Sequence, residues 1–158
     1  MFEEKKFPKY SFAMASSKAR GYCDKAERSH QMVRNKLIQW GLSYSDREQI
    51  ISSLIQEDLL NEERFAQAFA NDKFRFNHWG IRKIEMALKA KGVSERNIKD
   101  AIGRIAPEEY RVALVELVQK RWEREKLQDV FQKKNKVARY FISRGYQSSL
   151  VWNILESY

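Results

Sequence analysis

Three glycines divide the sequence at nearly equal intervals, and this spacing constrains the fold more than any other feature. Gly41, Gly92 and Gly145 are separated by 51 and 53 residues. Each follows a run of apolar residues with the spacing of a helix. Just past a helix the backbone often turns into the left-handed region, which glycine adopts without steric cost. The three glycines therefore predict the ends of three helices.

The residues around the three glycines correspond as well. Two unrelated amphipathic helices that end in glycine would share some agreement through their common period of 3.6 residues. Here the agreement continues beyond the glycine, which favours a true repeat of about 50 residues. Counted from each glycine, the matching apolar positions are eight before (Val33, Ile84, Val137), four before (Leu37, Leu88, Phe141), one after (Leu42, Val93, Tyr146) and ten after (Ile51, Ile102, Leu155).

Helix signals fill the remaining sequence, and no strand pattern occurs. Asn61 and Ser94 stand where helix N-caps are expected, Ser45 with Glu48 has the spacing of a capping box, and Pro107 suits a first helical turn. Only two prolines are present and the six glycines are scattered, so there is no Gly- or Pro-rich linker. We therefore predict an all-α fold.

The predicted architecture is three tandem three-helix repeats that stack into an elongated, curved, solenoid-like body. We expect the N-terminal repeat at 1–60, the central repeat at 61–106 and the C-terminal repeat at 107–158. Such a body offers a long surface rather than a deep pocket.

The charge of the chain is basic but unevenly distributed. The formal net charge is +9, which favours an anionic partner. Basic residues outnumber acidic ones by 9 to 4 in 1–41, 9 to 4 in 66–106 and 10 to 7 in 107–158, whereas 42–65 has 2 basic and 6 acidic residues. A protein that docks on another protein already bound to DNA could use both signs, so the acidic stretch hints at a protein partner.

Several classes of function lack their signatures. The sequence contains no phosphate-binding glycine loop and no hydrolase or metalloprotease motif, and Cys23, His30 and His78 form no set with metal-ligand spacing. We therefore expect no catalytic site, no metal and no cofactor. The start, MFEEKKFPKY, lacks the apolar region of a signal peptide, and no apolar run is long enough to span a membrane. We expect a cytoplasmic protein.

The segment RFNHWGIRKIEMALKAKGV, residues 75–93, contains the first set of candidate binding residues. Ile81, Ile84 and Leu88 share one stripe that faces a core. Arg82 and Lys89 lie on the opposite side of the same helix and Lys83 on its flank, which predicts a cationic surface. Ordinary solvation and the binding of a partner both explain such a surface.

Further candidates surround this helix and recur in the third repeat. Lys73 and Arg75 alternate with aromatic residues, and basic residues with aromatics suit phosphate contact and stacking. Core packing is nevertheless the more common role of such aromatics. The segment KKNKVARYFISRG, 133–145, is a second basic helix in an equivalent place, which suggests one extended track. The candidate residues there are Lys133, Lys134, Lys136 and Arg139.

The central segment NEERFAQAFANDKFRFNHWGIRKIEMALKAKGV resembles the central block of the RecX family, regulators of the bacterial recombinase RecA. In that family an acidic pair precedes Arg-Phe-Ala, followed by a second aromatic, a basic stretch, a glycine, Arg, an aliphatic residue and an ending such as Leu-x-x-Lys-Gly-Val. Here the residues that fill these places are Glu62, Glu63, Arg64, Phe65, Ala66, Phe69, Lys73, Arg75, Gly80, Arg82, Ile84, Leu88, Lys91, Gly92 and Val93. His78 and Trp79 depart from the smaller residues expected before Gly80.

The resemblance implies a bacterial, non-enzymatic modulator that binds RecA or its filament on single-stranded DNA. Such a protein lowers the ATPase, recombinase and coprotease activities of RecA in DNA repair, recombination and the SOS response. It also allows direct contact with DNA, and we expect a monomer. For Arg64 we expect a structural role that ties two repeats together. The alternative that charge alone supports is a general basic helical module that binds nucleic acid.

Overall fold

The computed structural model describes residues 9–158, and these residues form nine α-helices and no strand. The all-α prediction with tandem three-helix repeats is confirmed for this part of the chain. The first eight residues of the predicted repeat 1–60 lie outside the described residues. The helices form three triplets: α1 (Phe12–Lys25), α2 (His30–Gln39) and α3 (Tyr44–Gln56); α4 (Glu62–Arg75), α5 (Ile81–Ala90) and α6 (Glu95–Gly103); α7 (Pro107–Arg124), α8 (Val130–Ser143) and α9 (Ser148–Leu155).

Two of the three predicted side-chain caps are confirmed. Asn61 caps α4 and Ser94 caps α6, each accepting a hydrogen bond from a backbone amide of the first turn. The capping box of Ser45 with Glu48 is wrong, because α3 begins earlier and Ser43 is its cap. Glu48 instead pairs with a guanidinium of α2. Ser43 accepts from Asp46 N, whereas the predicted box would have used the amide of Glu48. Both serines suit an N-cap, so spacing alone could not select between them.

The glycines that end the middle helices adopt the predicted conformation. Gly41, Gly92 and Gly145 have φ angles of 78°, 76° and 98°. In each triplet the residue eight positions before this glycine is fully buried, and the residue four before it is buried as well. The repeat seen in the sequence is therefore a repeat of structure.

A shared hydrogen bond recurs at these three glycines. In every triplet the carbonyl of the residue just before the glycine accepts a hydrogen bond from a chain segment upstream of the triplet's middle helix. The three bonds are Tyr10 N to Trp40 O (2.9 Å), Ser29 Oγ to Lys91 O (2.9 Å) and Gly80 N to Arg144 O (2.8 Å). For Gly92 and Gly145 the donor belongs to the preceding triplet and stands at the start of its middle helix. This contact joins one triplet to the next and satisfies carbonyls that a helix end leaves unpaired.

The backbones of neighbouring triplets approach each other most closely at the junction between the second and third triplets. A Cβ atom added to Gly80 would lie 2.2 Å from the carbonyl carbon of Gly145, and one added to Gly145 would lie 2.4 Å from the amide nitrogen of Lys83. Arg82 N also donates to Gly145 O at 2.9 Å. The glycine that follows Trp79 is therefore required because two backbones touch there.

The buried apolar residues form two cores. The first triplet has its own core, whereas the second and third triplets share one. Tyr110 of α7 lies in the shared core, where its hydroxyl accepts from Ile81 N at 3.2 Å and donates to Gln147 Oε1 at 2.7 Å. Burial raises the pKa of Tyr110 to about 12. This neutral hydroxyl makes two hydrogen bonds, and the one with Ile81 connects the third triplet to the second.

Ion pairs connect the first triplet to the second. Arg64 Nε lies 2.6 Å from a carboxylate oxygen of Glu27, and its Nη1 lies 3.1 Å from Asp58. These carboxylates raise the pKa of Arg64. The structural role expected for Arg64 is therefore confirmed.

Most carboxylates of the acidic stretch at 42–65 also form ion pairs. Four of its six carboxylates pair with arginines inside the described part of the protein: Glu48 with Arg34, Glu57 with Arg20, Asp58 with Arg64 and Glu63 with Arg104. The stretch thus contributes ion pairs to the fold, while the carboxylates of these pairs remain partly exposed.

Candidate partner-binding surface

The helix α5 is oriented as its apolar spacing predicts. Ile84 and Leu88 are fully buried. Arg82 and Lys89 are exposed on the opposite side, and Lys83 is half-buried on the flank. The cationic side of this helix is therefore free to meet another molecule.

A group of lysines surrounds two aromatic rings beside this helix. We call Phe69, Trp79, Lys73, Lys83 and Lys91 the Trp79 cluster. The Nζ atoms of Lys73 and Lys83 lie 4.8 Å and 4.4 Å from the centroid of the Trp79 ring. Lys73 and Lys91 lie 5.4 Å and 5.8 Å from the Phe69 ring, which meets Trp79 edge to face at 6.4 Å. Three ammonium groups are thus held at one place by cation–π contact.

The aromatic residues of this segment divide between core and surface. Phe74 is buried in the shared core, and Phe69 and Trp79 are half-buried against that core. Phe76 is 76% exposed. Trp79 therefore acts mainly as a platform for lysines, whereas Phe76 presents a free ring to solvent.

The surroundings of Lys89 are less basic than the sequence suggests. Lys89 lines a shallow groove of about 390 Å³ together with Glu85, Met86 and Glu95. Glu85 follows Arg82 by three residues, a separation that places both on one side of a helix. Acidic side chains therefore stand near both Arg82 and Lys89, and Lys99 of α6 adds a second cation to the groove around Lys89.

Arg75 lies apart from the Trp79 cluster. Its guanidinium is 2.9 Å from Glu109 of α7 and donates to Asn71 Oδ1 at 2.8 Å. Arg75 and Lys73 are two residues apart, which separates their directions by about 200° on a helix. Its observed contact is with α7, so it stabilises the approach of the third triplet.

The candidate residues of the third triplet lie on α8. Lys133 Nζ is 4.4 Å from the Trp122 ring, and Lys136 Nζ is 3.1 Å from Glu125, whose pKa it lowers. Lys134 and Arg139 make no ion pair among residues 9–158. These residues are thus divided between packed and free cations.

The structure places the two sets of cations at a distance from each other. The end of α8 at Gly145 touches the start of α5, whereas Lys133 and Lys134 belong to the opposite end of α8. At a rise of 1.5 Å per residue, Lys134 lies roughly 16 Å along the helix from Gly145. An extended partner could span this distance, but a small ligand could not.

A second concentration of cations lies in the third triplet, and only Arg144 of these cations belongs to a basic run noted in the sequence. It is a groove of about 290 Å³ formed by α7, α8 and the loop before α5, and its polar lining contains no acidic residue. The spacing of Lys120 and Arg124 on α7 is a helical signal that could have revealed it. Glu123 and Glu125 alternate with these cations in the sequence and obscure the signal. The basic residues of the lining are His78, Lys120, Arg121, Arg124 and Arg144.

Within residues 9–158 no group of histidine, cysteine or carboxylate side chains is arranged to hold a metal ion. None of the helices described there is long and apolar enough to cross a membrane.

Comparison with known proteins identifies relatives of this chain. Residues 61–102 match the family model for the second three-helix domain of RecX, and 108–155 match that for the third three-helix domain. The regulatory protein RecX of Clostridium perfringens strain SM101 is 29% identical over 125 residues, which cover 78% of this chain and 58% of the relative. That of Clostridium acetobutylicum is 24% identical over 150 residues, covering 92% of this chain and 69% of the relative. The match thus spans little more than half the length of the first of these relatives.

Two solved structures share the fold. The crystal structure of RecX from Lactobacillus salivarius has a TM-score of 0.86 at 20% identity and covers 92% of this chain and 95% of that one. Another crystal structure of regulatory protein RecX has a TM-score of 0.83 at 22% identity and covers 93% and 73%. At these identities the likeness concerns the fold alone.

Proposed function

Because this chain belongs to the RecX family, we propose that it binds RecA or the RecA filament on single-stranded DNA and lowers its ATPase, recombinase and coprotease activities. In this proposal the protein acts in the bacterial cytoplasm as a monomer, by binding rather than by catalysis. The three repeats, at 1–60, 61–106 and 107–158, form the body that carries the docking surface, and the second repeat is its centre.

The observation that carries the proposal is the Trp79 cluster within the matched family domain. Lysines that rest on a ring lose less conformational freedom on binding than freely moving lysines do. The cluster also adjoins the exposed Arg82, so several cations meet a partner together. Such a surface suits the acidic groups of a protein or the phosphates of its bound DNA.

We assign the docking role first to Lys73, Lys83 and Arg82, and next to Lys89. The cations of α8 would extend the footprint through Lys134 and Arg139, which make no ion pair among the described residues. Lys133, which rests on the Trp122 ring, belongs to the same extension. Lys136 and Arg75 contribute less in this proposal, because a carboxylate already pairs with each of them.

The test is the hydrolysis of ATP by RecA on single-stranded DNA during titration with this protein. Binding of the protein to bare single-stranded DNA is followed in parallel at the same salt concentration. We expect hydrolysis to fall at protein concentrations well below those that cover the DNA. Loss of hydrolysis only when the DNA is saturated would favour the general nucleic-acid-binding module, and unchanged hydrolysis would refute the proposal.

A further inference from the structure

The groove between α7, α8 and the α4–α5 loop is a site that the docking surface does not use. It is lined by His78 from the loop, Lys120, Arg121 and Arg124 from α7, and Arg144 after α8, together with Leu117, Tyr140 and Phe141. None of its four lysine and arginine side chains forms an ion pair with any residue in 9–158. Other cations in 9–158 are unpaired as well, so the feature that distinguishes the groove is that four unpaired cations line one site with no carboxylate among its lining residues.

Two of the guanidinium groups are held in place on one ring. The Cζ atom of Arg121 lies 4.0 Å from the centroid of Tyr140, and that of Arg144 lies 5.5 Å from the same centroid. Arg144 also donates from Nη2 to the carbonyl oxygen of Asn77 at 3.0 Å. The ring and the carbonyl therefore order these donors before any ligand arrives.

This arrangement has an electrostatic consequence. Both guanidinium carbons lie near one ring, within about 10 Å of each other, so the two positive charges repel in the free protein. An anion in the groove would relieve that repulsion and accept the remaining N–H donors. Planar guanidinium groups match the oxygens of a phosphate in pairs.

We propose that this groove binds the phosphate backbone of a single nucleic-acid strand. The exposed ring of Phe76 stands two residues before His78 in the same loop and offers a base a free face for stacking. A carboxylate peptide would use the cations but has no need of that ring. Tyr140 is already covered by guanidinium groups, so the groove recognises the backbone and not the base sequence.

The inference rests on the proposed function for its cellular setting alone, since the strand in question would be the one that RecA coats. It goes beyond that function because it assigns a direct contact with nucleic acid to residues outside the Trp79 cluster.

The experiment compares two double variants that each remove two positive charges three residues apart on a helix. Arg121→Gln with Arg124→Gln alters the groove, and Arg96→Gln with Lys99→Gln alters the exposed side of α6. Binding of a fluorescent single-stranded oligothymidylate is measured by anisotropy at several salt concentrations, and thermal unfolding shows that both variants are folded. RecA is absent, so the result is independent of whether RecA is inhibited.

We expect the groove variant to bind about tenfold more weakly near 0.1 M salt. The slope of log affinity against log salt concentration should fall by about 1.4, as expected for two lost phosphate contacts on a single strand. The control variant should stay within about twofold of the parent protein, because its charges act only through the long-range field.

Equal affinity in the two variants would overturn the inference, whatever the protein does to RecA. Two competition experiments test whether the groove binds another class of anionic ligand. Displacement of the oligonucleotide by ATP at equal phosphate concentration would show a nucleotide site instead. A groove variant that loses affinity for polyglutamate but keeps it for the oligonucleotide would show a protein site, and either result also overturns the inference.

Discussion

Gly80 lies where the backbone of one triplet rests on the backbone of the next. A Cβ atom there would meet main-chain atoms of Gly145 and Tyr146 at 2.2 Å, and backbone cannot rotate aside as a side chain can. The amide of Gly80 also donates to Arg144 O. This residue therefore controls the distance between the second and third triplets.

We predict that Gly80→Ala lowers the free energy of unfolding by about 1–3 kcal/mol or more, because the junction must open to admit a methyl group. Gly21→Ala is the matched control, since Gly21 is an exposed helical glycine with nothing within 4 Å of an added Cβ. The control should gain about 0.5–1 kcal/mol from helix propensity. Thermal and urea unfolding measure both, and an equal stability of the two variants would contradict the close approach.

Tyr110 makes stability depend on alkaline pH. Its pKa is raised by burial to about 12, above the value of 10.0 for a free tyrosine. The stability from its neutral form is fully present below pH 10 and is lost as the pH rises through about 12. The expected loss is about 2–3 kcal/mol for a shift of this size.

Tyr110→Phe removes this titration, so its free energy of unfolding should fall less steeply than that of the parent between pH 10 and 12. At neutral pH the variant should be less stable by about 1–3 kcal/mol, because Ile81 N and Gln147 lose a partner. Urea unfolding at several pH values measures the difference. Parallel curves would mean that Tyr110 does not titrate in the folded protein as described.

At the scale of elements, α5 is the clearest case in which sequence determines orientation. Its buried and exposed sides could be predicted because its apolar residues follow a single helical stripe. The environment of its cations could not be predicted. Lys73 and Lys83 meet at Trp79 through the turn between α4 and α5, and that turn depends on an unusual positive φ of 56° at His78.

Leu88→Ala should destabilise the protein by about 2–5 kcal/mol, since the leucine is fully buried in the shared core and leaves a cavity. Met86→Ala, two residues earlier and 74% exposed, should change stability by no more than about 0.5 kcal/mol. The midpoints of thermal unfolding test this pair. A similar midpoint for both variants would mean that α5 is rotated about its axis.

The groove of cations between α7, α8 and the α4–α5 loop could not be predicted from the sequence. Arg121 and Arg144 come from different helices of the third triplet, and His78 comes from the second. Their meeting depends on the glycine junction, which is a tertiary contact and not a local pattern. The ion pairs of the acidic stretch could not be predicted for a related reason, because Arg20, Arg34 and Arg104 lie outside that stretch in the sequence.

For the whole molecule, the three-helix repeat was predictable because the same local pattern occurs in all three triplets. Each middle helix ends at a left-handed glycine, and the carbonyl before that glycine accepts a hydrogen bond from upstream chain. The sharing of one core by the second and third triplets was not predictable, because all three sequence segments have the same apolar pattern. The charged surface thus rests on two triplets that share one core and are joined to the first triplet by ion pairs.

In the proposed function, the cationic side of the second triplet docks on the RecA filament. The most direct measurement is inhibition of RecA's single-stranded-DNA-dependent ATP hydrolysis by Arg82→Glu with Lys89→Glu. Its control is Lys18→Glu with Lys25→Glu, which reverses two exposed charges seven residues apart on α1. Both variants should keep the parent stability within about 0.5 kcal/mol, since exposed substitutions rarely change it more.

We predict that the α5 variant needs at least about tenfold more protein for half-inhibition, because it loses two charged contacts, while the control inhibits like the parent. If the folded α5 variant and the control inhibit equally well, this side of the second triplet is not the docking surface.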